Sequence, residues 1–302
     1  MTYVPSAVDI VIVTYNSAHV VGDLLDSLPD ALDGIAADVV VVDNGSSDAT
    51  VGLLESRSDC RIVRSGNVGY AGGINRGVGA ASGADAILVL NPDARLHARS
   101  VAPMLEALSE PNTGIVAPRV LSPSGSPEFS LRRTPTLLRA LGLTGTRIAA
   151  LSEYVNDAGA YDYPHTVDWA LGAVLLMSRS CFNALGGWDE SYFLYSEETD
   201  LSLRARDIGF LTRYEPRAIA IHIGGQSGRN DKTHAMQIVN RVRLYRRRNG
   251  LLASSCYYWL TIASELSWVM RGHRPSRSAV KALLRPAARP SELGCSDRLL
   301  PQ

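Results

Sequence analysis

The stretch Asp38–Thr50, DVVVVDNGSSDAT, decides the fold. Four consecutive valines cannot form one face of a half-exposed strand, where apolar and polar residues alternate. A continuous apolar run bounded by turn residues fits a strand covered on both sides. The small polar residues that follow supply turn chemistry and a helix start. The same signal recurs in DIVIVT (9–14), CRIVRS (60–65) and AILVLN (86–91), and Val20, Leu24, Leu25 and Leu28 mark one helical face between the first two strands. This rhythm predicts an α/β fold with a mostly parallel, doubly wound sheet through about residue 120.

Ligands on such sheets sit at the carboxyl ends of the strands. Asn16, Asp43, Gly66, Asn67 and Asp93 all fall at such ends. In LVLNPDARL (88–96) the apolar run stops at Asn91, because Pro92 cannot donate to a sheet ladder, and Asp93 is delivered to the tip. Taken alone, Asp93 is either a helix cap or a ligand, and Asp43 either a turn former or an acceptor for a base or ribose. The glycine-rich segment GNVGYAGGINRGVGAASG (66–83) matches neither the dinucleotide fingerprint nor the P-loop. Those two common readings of a doubly wound sheet are thereby removed.

Residues 122–165 are rich in Pro, Ser, Gly and Thr without periodicity, and read as a long surface excursion. Order returns with a strand through 171–177, a helix closed by Gly186–Gly187, and a second helix from about Glu198 that buries Leu201, Ala205 and Ile208. AIAIHI (218–223) predicts a further strand ending near His222, which reads as a metal ligand or a structural histidine. Three acids, Glu197, Glu198 and Asp200, cluster at the second helix start. They favour the helix dipole, and their mutual repulsion could also place one of them as a general base.

The chain has 302 residues, 46% hydrophobic and 20% charged, ordinary for a globular protein with a sizeable core. Its zero net charge hides an asymmetry: 12 basic and 24 acidic residues in 1–203, against 18 and 6 in 204–302. The basic end suits phosphates or an anionic membrane surface, or is simply a solvated face. Cys60, Cys181, Cys256 and Cys295 form no CxxC pair, so a structural zinc or disulfide framework is not expected and a reducing compartment fits. MTYVPSAVD lacks a basic n-region and an apolar h-region, so no secretory signal is expected. The run LLASSCYYWLTIASELSWVM (251–270) is long enough to consider as a span. However, Leu252, Cys256, Trp259, Ala263, Leu266 and Met270 form one face, and Ser254, Tyr258, Thr261 and Glu265 another. With arginines on both flanks it reads as an interfacial helix or a packing helix.

Six segments taken together resemble family 2 inverting glycosyltransferases of the GT-A fold, in the rhamnosyltransferase-like branch. They are IVIVTYNS (10–17), VVVVDNGSSD (39–48), NVGYAGGINRG (67–77), LNPDA (90–94), GGWDESYFLYSEETDLSLR (186–204) and HIGGQS (222–227). The resemblance implies a catalytic domain over 1–235, with a nucleotide-binding half (1–120) and an acceptor half (121–235), and a basic helical extension over 236–302. It implies that Thr14, Tyr15, Asn16 and Asp43 hold the nucleoside and that Gly69, Asn75 and Gly77 shape the ribose and diphosphate pocket. Asn91 and Asp93 stand at the metal motif, where Asp93 ligates Mg²⁺ or Mn²⁺ with His222 as a further ligand. Gly172 and Ala173 line the sugar pocket, Trp188 and Asp189 face donor sugar or acceptor, and Glu198 is the base, with Glu197 and Asp200 as lesser candidates. Asn91 replaces the motif's first acid, and Glu197–Glu198 replaces the family's Glu–Asp pair.

The implied reaction moves a sugar, such as L-rhamnose, from a dTDP- or UDP-linked donor to a glycan, small-molecule or polyprenyl-diphosphate-linked acceptor in cell-wall or polysaccharide synthesis. The expected setting is cytoplasmic, peripheral on the inner face of the plasma membrane, with room for a homodimer and no nucleic-acid partner. Two alternatives are a sugar nucleotidyltransferase and a non-catalytic glycan-binding relative. The first would want a glycine-rich loop with Arg and Lys after the first strand, and TYNSAHVV offers none.

Overall fold

The computed structural model describes residues 4–143, 146, 148–224, 230–293 and 299. In chain order the elements are β1 (Ala7–Thr14), α1 (Val21–Leu32), β2 (Ala36–Asp43), α2 (Thr50–Glu55), β3 (Arg61–Arg64), α3 (Gly69–Ala80), β4 (Ala86–Leu90) and β5 (Ala94–Leu96). Next come α4 (Val101–Leu108), β6 (Thr113–Leu121), β7 (Leu131–Arg132), β8 (His165–Val167), β9 (Trp169–Ala170) and β10 (Val174–Ser178). The chain continues through α5 (Arg179–Leu185), α6 (Glu197–Asp207), β11 (Leu211–His222), α7 (Asp231–Arg248), α8 (Leu251–Met270) and α9 (Arg274–Leu284).

The main sheet runs β3-β2-β1-β4-β10-β6-β11-β5, with β8 on β11. The first four strands are parallel, and β10 enters antiparallel between β4 and β6. The valine runs are explained by which side each residue faces. In β1, Ile10 and Ile12 join one core with Leu24, Leu25 and Met104 of α1 and α4. Val11 and Val13 join the opposite core with Ile74, Cys181 and Leu201 of α3, α5 and α6. Alternation is absent because both faces are dry.

The strand order reverses between β2 and β4 on either side of β1, so the crevice opens at the carboxyl ends of β1 and β4. The register aligns those ends: Thr14 lies beside Asp43, and Asp43 beside Arg64. The strand through 88–90 stops at Leu90, as Pro92 requires.

Two expectations change, and the open reading of α8 gains a direction. Residues 122–165 are not merely a surface excursion. Leu131 and Arg132 pair with Ala170 and Trp169, and the buried Tyr161 hydroxyl accepts from Leu131 N–H (3.0 Å) and donates to Val155 O (3.1 Å). Ile208 is exposed rather than buried, because α6 ends at Asp207 and the chain turns outward there. In α8, the polar face packs inward. Tyr258 Oη donates to Leu283 O (2.9 Å), Thr261 Oγ1 donates to Tyr257 O (2.8 Å), and Glu265 meets His234 Nε2 (2.9 Å). Leu252, Trp259, Leu266 and Met270 are left outside. Among the described residues no helix is long and apolar enough to cross a membrane.

The expected boundary at 235/236 lies inside α7, which with α8 and α9 forms a third core around Val239, Val242, Tyr257, Ile262 and Leu283.

Candidate active site

At the tip of β4, Asp93 is 5% exposed and faces His222, the last residue of β11, with Oδ1 and Nε2 3.4 Å apart. The corner is held by backbone: Asn91 N–H donates to Ala173 O (2.8 Å), and Ile223 N–H to Asp93 O (3.1 Å). On the far side of the imidazole, Nδ1 lies 3.8 Å from Glu128 Oε2. Burial lowers the His222 pKa, but Asp93 and Glu128 outweigh it and hold the ring above its ordinary value. Glu128 belongs to the unpatterned segment, so no periodicity marked it. Residues 225–227 of the histidine motif lie outside the described residues.

The acid cluster opens α6. Glu197 is 3% exposed, with Oε2 lacking a hydrogen-bond partner among the described residues. Glu198 is only partly buried, and a Cβ on Gly172 would stand 3.2 Å from its own Cβ, so the small residue there leaves it room. Burial raises both carboxyls, Glu197 the more strongly, with the neighbouring Glu198 charge adding to it. Backbone N–H groups and the Arg132 guanidinium pull Glu198 back down. Asp200 is bound by Arg204 Nε at 2.6 Å. Of the three acids, Glu198 is the one that combines solvent access with a raised pKa and no ion pair among the described residues.

The loop before α6 is unusual. Phe193, Tyr195 and Ser196 have φ of 58°, 70° and 73°. Non-glycine residues in that region cost about 1–3 kcal/mol each and persist only where the surroundings enforce them. The enforcement comes from two helices. Gly69, opening α3, has φ +79°, and a Cβ there would sit 2.4 Å from Phe193 O; Tyr70 N–H donates to that same oxygen at 2.7 Å. From α7, the fully buried Asn240 donates to Tyr192 O (2.7 Å), Leu194 O (2.9 Å) and Tyr195 O (3.0 Å). Arg243 donates to Ser191 O (3.0 Å), and Arg247 pairs with Asp189 (2.8 Å). Only long-range geometry shows this; no local motif announces Asn240.

The other expected residues fall as follows. Thr14 is buried and donates to Asp43 Oδ1 (3.2 Å), while Asp43 also accepts from Gly45 and Ser46 N–H at 3.1 and 3.0 Å. Asn16 Oδ1 accepts from Ser47 N–H (2.8 Å), and Tyr15 stands exposed beside it. Asn75 reaches across to the segment before α6. Its amide donates to Trp188 O and Glu190 Oε1 and accepts from Trp188 N–H, all at 2.9 Å. Gly77 lets α3 lie on the sheet, since a Cβ would meet Val11 Cγ1 at 2.4 Å. Trp188, expected at the sugar or acceptor, is instead in the core at 2% exposure, edge-on to Tyr70. Asp189 caps the turn that follows through Ser191 N–H (2.9 Å). Gly172 O accepts from Tyr70 Oη (3.1 Å), and Ala173 is buried.

The same architecture occurs in solved structures. GalNAc-T7 with UDP, GalNAc and Mn²⁺ superposes with TM-score 0.62 at 16% identity, over 80% of this chain and 47% of its own. A mannosyltransferase from Pyrobaculum calidifontis, in complex with GDP-Man and Mn²⁺, gives TM-score 0.58 at 17% identity, over 96% and 83%. The fold is therefore the GT-A fold of glycosyltransferases. The Glycosyl transferase family 2 profile matches residues 9–160. N-acetylglucosaminyl-diphospho-decaprenol L-rhamnosyltransferase of Mycobacterium tuberculosis is 31% identical over 303 residues, covering 93% of this chain and 95% of its own. This chain belongs to glycosyl transferase family 2, as a hexosyltransferase-type enzyme of the rhamnosyltransferase-like branch.

Proposed function

We propose that this chain is an inverting, metal-assisted rhamnosyltransferase. It would move L-rhamnose from a nucleoside-diphosphate donor to a hydroxyl of a polyprenyl-diphosphate-linked N-acetylglucosamine, in polysaccharide synthesis. The observation that carries this is the partly exposed Glu198, its carboxyl pushed up by burial, whose charge reaches the same Tyr70 as that of Asp93, the partner of His222. Similarity to the mycobacterial rhamnosyltransferase over nearly the whole chain supports the sugar and acceptor class of this reading.

In this reading the acceptor O–H gives its proton to a Glu198 carboxylate oxygen while its oxygen attacks the anomeric carbon in line. The bond to the donor phosphate breaks on the opposite side, and its electron pair leaves on the nucleoside diphosphate. A positioned carboxylate base contributes roughly 10²–10⁴-fold. Thr14, Tyr15, Asn16 and Asp43 ring the nucleoside end of the crevice, and Gly172 and Ala173 the sugar end.

Asp93 and His222 suit a divalent cation that keeps waters and takes substrate phosphate oxygens, as Mg²⁺ and Mn²⁺ do. Among the described residues no group of three such side chains would cage one. The bound cation would neutralise charge on the departing diphosphate. A neutral His222 carrying its proton on Nδ1, toward Glu128, would offer Nε2 beside Asp93 to the metal.

The exposed side of α8 supports peripheral attachment on the cytoplasmic face of an anionic membrane. Leu252 and Met270 are 86% and 83% exposed, Trp259 stands between them, and Arg271, Arg274 and Arg277 follow in the exposed chain beyond. An apolar band with aromatics and flanking cations matches an interfacial helix.

The test is a panel of nucleotide sugars with a polyprenyl-diphospho-N-acetylglucosamine acceptor, with Mg²⁺, Mn²⁺ or chelator. Transfer from dTDP-rhamnose with inverted anomeric configuration, lost on chelation, is the expected result. Retention of configuration, or no turnover of any donor, would reject the reading. Leu252→Ser together with Trp259→Ser should lower binding to anionic vesicles without changing turnover of a detergent-soluble acceptor.

A further inference from the structure

Arg132 is buried, at 8% exposure, in the short strand β7. Its guanidinium donates to Phe129 O and to Leu131 O (2.9 Å) and lies over the Tyr154 ring at 3.9 Å. Among the described residues it makes no ion pair. Of the nearby carboxylates, Glu153 is held by Arg241 and Asp168 by Thr134 N–H (2.6 Å) and Arg206, while Glu198 feels the charge without forming an ion pair. A buried cation with no carboxylate in direct contact is expensive and leaves charge for an anionic partner brought beside Glu198.

Its place says where that partner would lie. Arg132 pairs across to Trp169, and two residues beyond Ala170 is Gly172, packed on Glu198. The positive charge is felt at Glu198, whose carboxyl it lowers. Four residues earlier, Glu128 faces His222. Residues 128–132 therefore reach from the Asp93–His222 pair toward the base. A planar, stacked guanidinium is the side chain suited to bidentate phosphate contact.

We propose that Arg132 is a phosphate-binding residue of the acceptor site, taking the diphosphate of a lipid-linked acceptor whose sugar hydroxyl is presented to Glu198. This rests on the transferase reading above. The shared chemistry is a diphosphate, and the donor carries one as well; Arg132 is assigned to the acceptor's because it lies on the side of Glu198, whereas Asp93 and His222 stand at the donor's.

The experiment measures direct binding to the full chain, wild type, Arg132→Lys and Arg132→Gln, using geranylgeranyl diphosphate in detergent, inorganic pyrophosphate, dTDP and UDP as probes. The expected result is a tenfold or greater loss of geranylgeranyl diphosphate affinity in Arg132→Gln, a smaller loss in Arg132→Lys, and nucleoside diphosphate affinity within twofold of wild type. A selective loss of dTDP or UDP affinity would overturn the acceptor assignment and place Arg132 at the donor. Unchanged binding of every probe, in variants whose melting temperature matches wild type, would overturn the phosphate site outright. Should both variants melt early, Tyr154→Leu removes the stacking alone and should weaken geranylgeranyl diphosphate at least threefold; no change there counts against the site. Failure of the transferase reading shows separately, as wild-type enzyme that turns over no nucleotide sugar while the diphosphate-binding difference persists.

Discussion

The two ends of the crevice are built by opposite means. The Asp93 corner is made by its own backbone: a strand stopped by Pro92, one bond to Ala173 and one from Ile223. The Glu198 corner follows a loop with three left-handed non-glycine residues, pinned by Gly69 and Tyr70 on one side and by Asn240, Arg243 and Arg247 on the other. The turn of the first corner is written in a few consecutive residues, and its two long-range ties are main-chain bonds. The second needs backbone from Gly69 and Tyr70, far before it in sequence, and the side chains of Asn240, Arg243 and Arg247 after it. A site assembled this way couples the packing of α3 and of the carboxyl-terminal helices to the position of one carboxylate.

Replacing the carboxylate itself should give the largest effect. Glu198→Gln is expected to lower kcat by roughly 10²–10⁴-fold while dTDP affinity, read by calorimetry, stays near wild type. In the wild type, the acid limb of the kcat–pH profile should lie above the ordinary carboxylate value of about 4.3, since burial favours the protonated form and the base must be ionised to act. A limb at or below that value would remove Glu198 from the role.

Asn240→Leu should break the second corner and spare the first. It leaves three loop carbonyls without their donor, at about 1–3 kcal/mol for each buried group left unpaired. A drop in melting temperature and a tenfold or greater fall in kcat, with nucleotide affinity retained, is the expected pattern. Equal loss of both functions would mean that the two corners are not mechanically separate.

Glu128→Gln tests the first corner. Partners of a metal-ligating histidine are worth roughly 10–100-fold in metal affinity. Mn²⁺ titration in the presence of dTDP should weaken by about tenfold, and the acid limb of the rate profile should not move.

The smallest effect concerns Glu197. Its folded pKa is raised above its unfolded one, so it binds more protons folded than unfolded, and stability falls as pH rises from the unfolded value through the folded one. Glu197→Gln should therefore raise the melting temperature at pH 8 by roughly 2 °C, and by less at pH 5. The opposite ordering would show that the Glu197 carboxylate has a partner in solution.

The parallel half was legible because its signals are local: valine runs, turn residues, a proline at a strand tip. Asp93, His222 and the acid cluster followed from their places at strand and helix ends. Glu128, Arg132 and Asn240 were not legible, because their meaning lies in what faces them across the fold. Asn75 and Trp188 sit in motifs that fix their presence but not their direction; both turned out to brace the loop before α6 rather than open onto the crevice. For α8 the two faces were correctly separated, but which one packs depended on partners such as His234 and Leu283, which pair with the polar side.

The path of α7 bears on how such chains can be recombined. This helix contributes to the third core and also supplies the asparagine and arginines that grip the loop before Glu198. A chimaera joined at 235/236 would inherit the grip from a different parent than the loop it holds. Splice points after Arg248, by contrast, would leave that grip with its own loop, provided the grafted helices rebuild the face that Val239 and Val242 present to Tyr257 and Leu283.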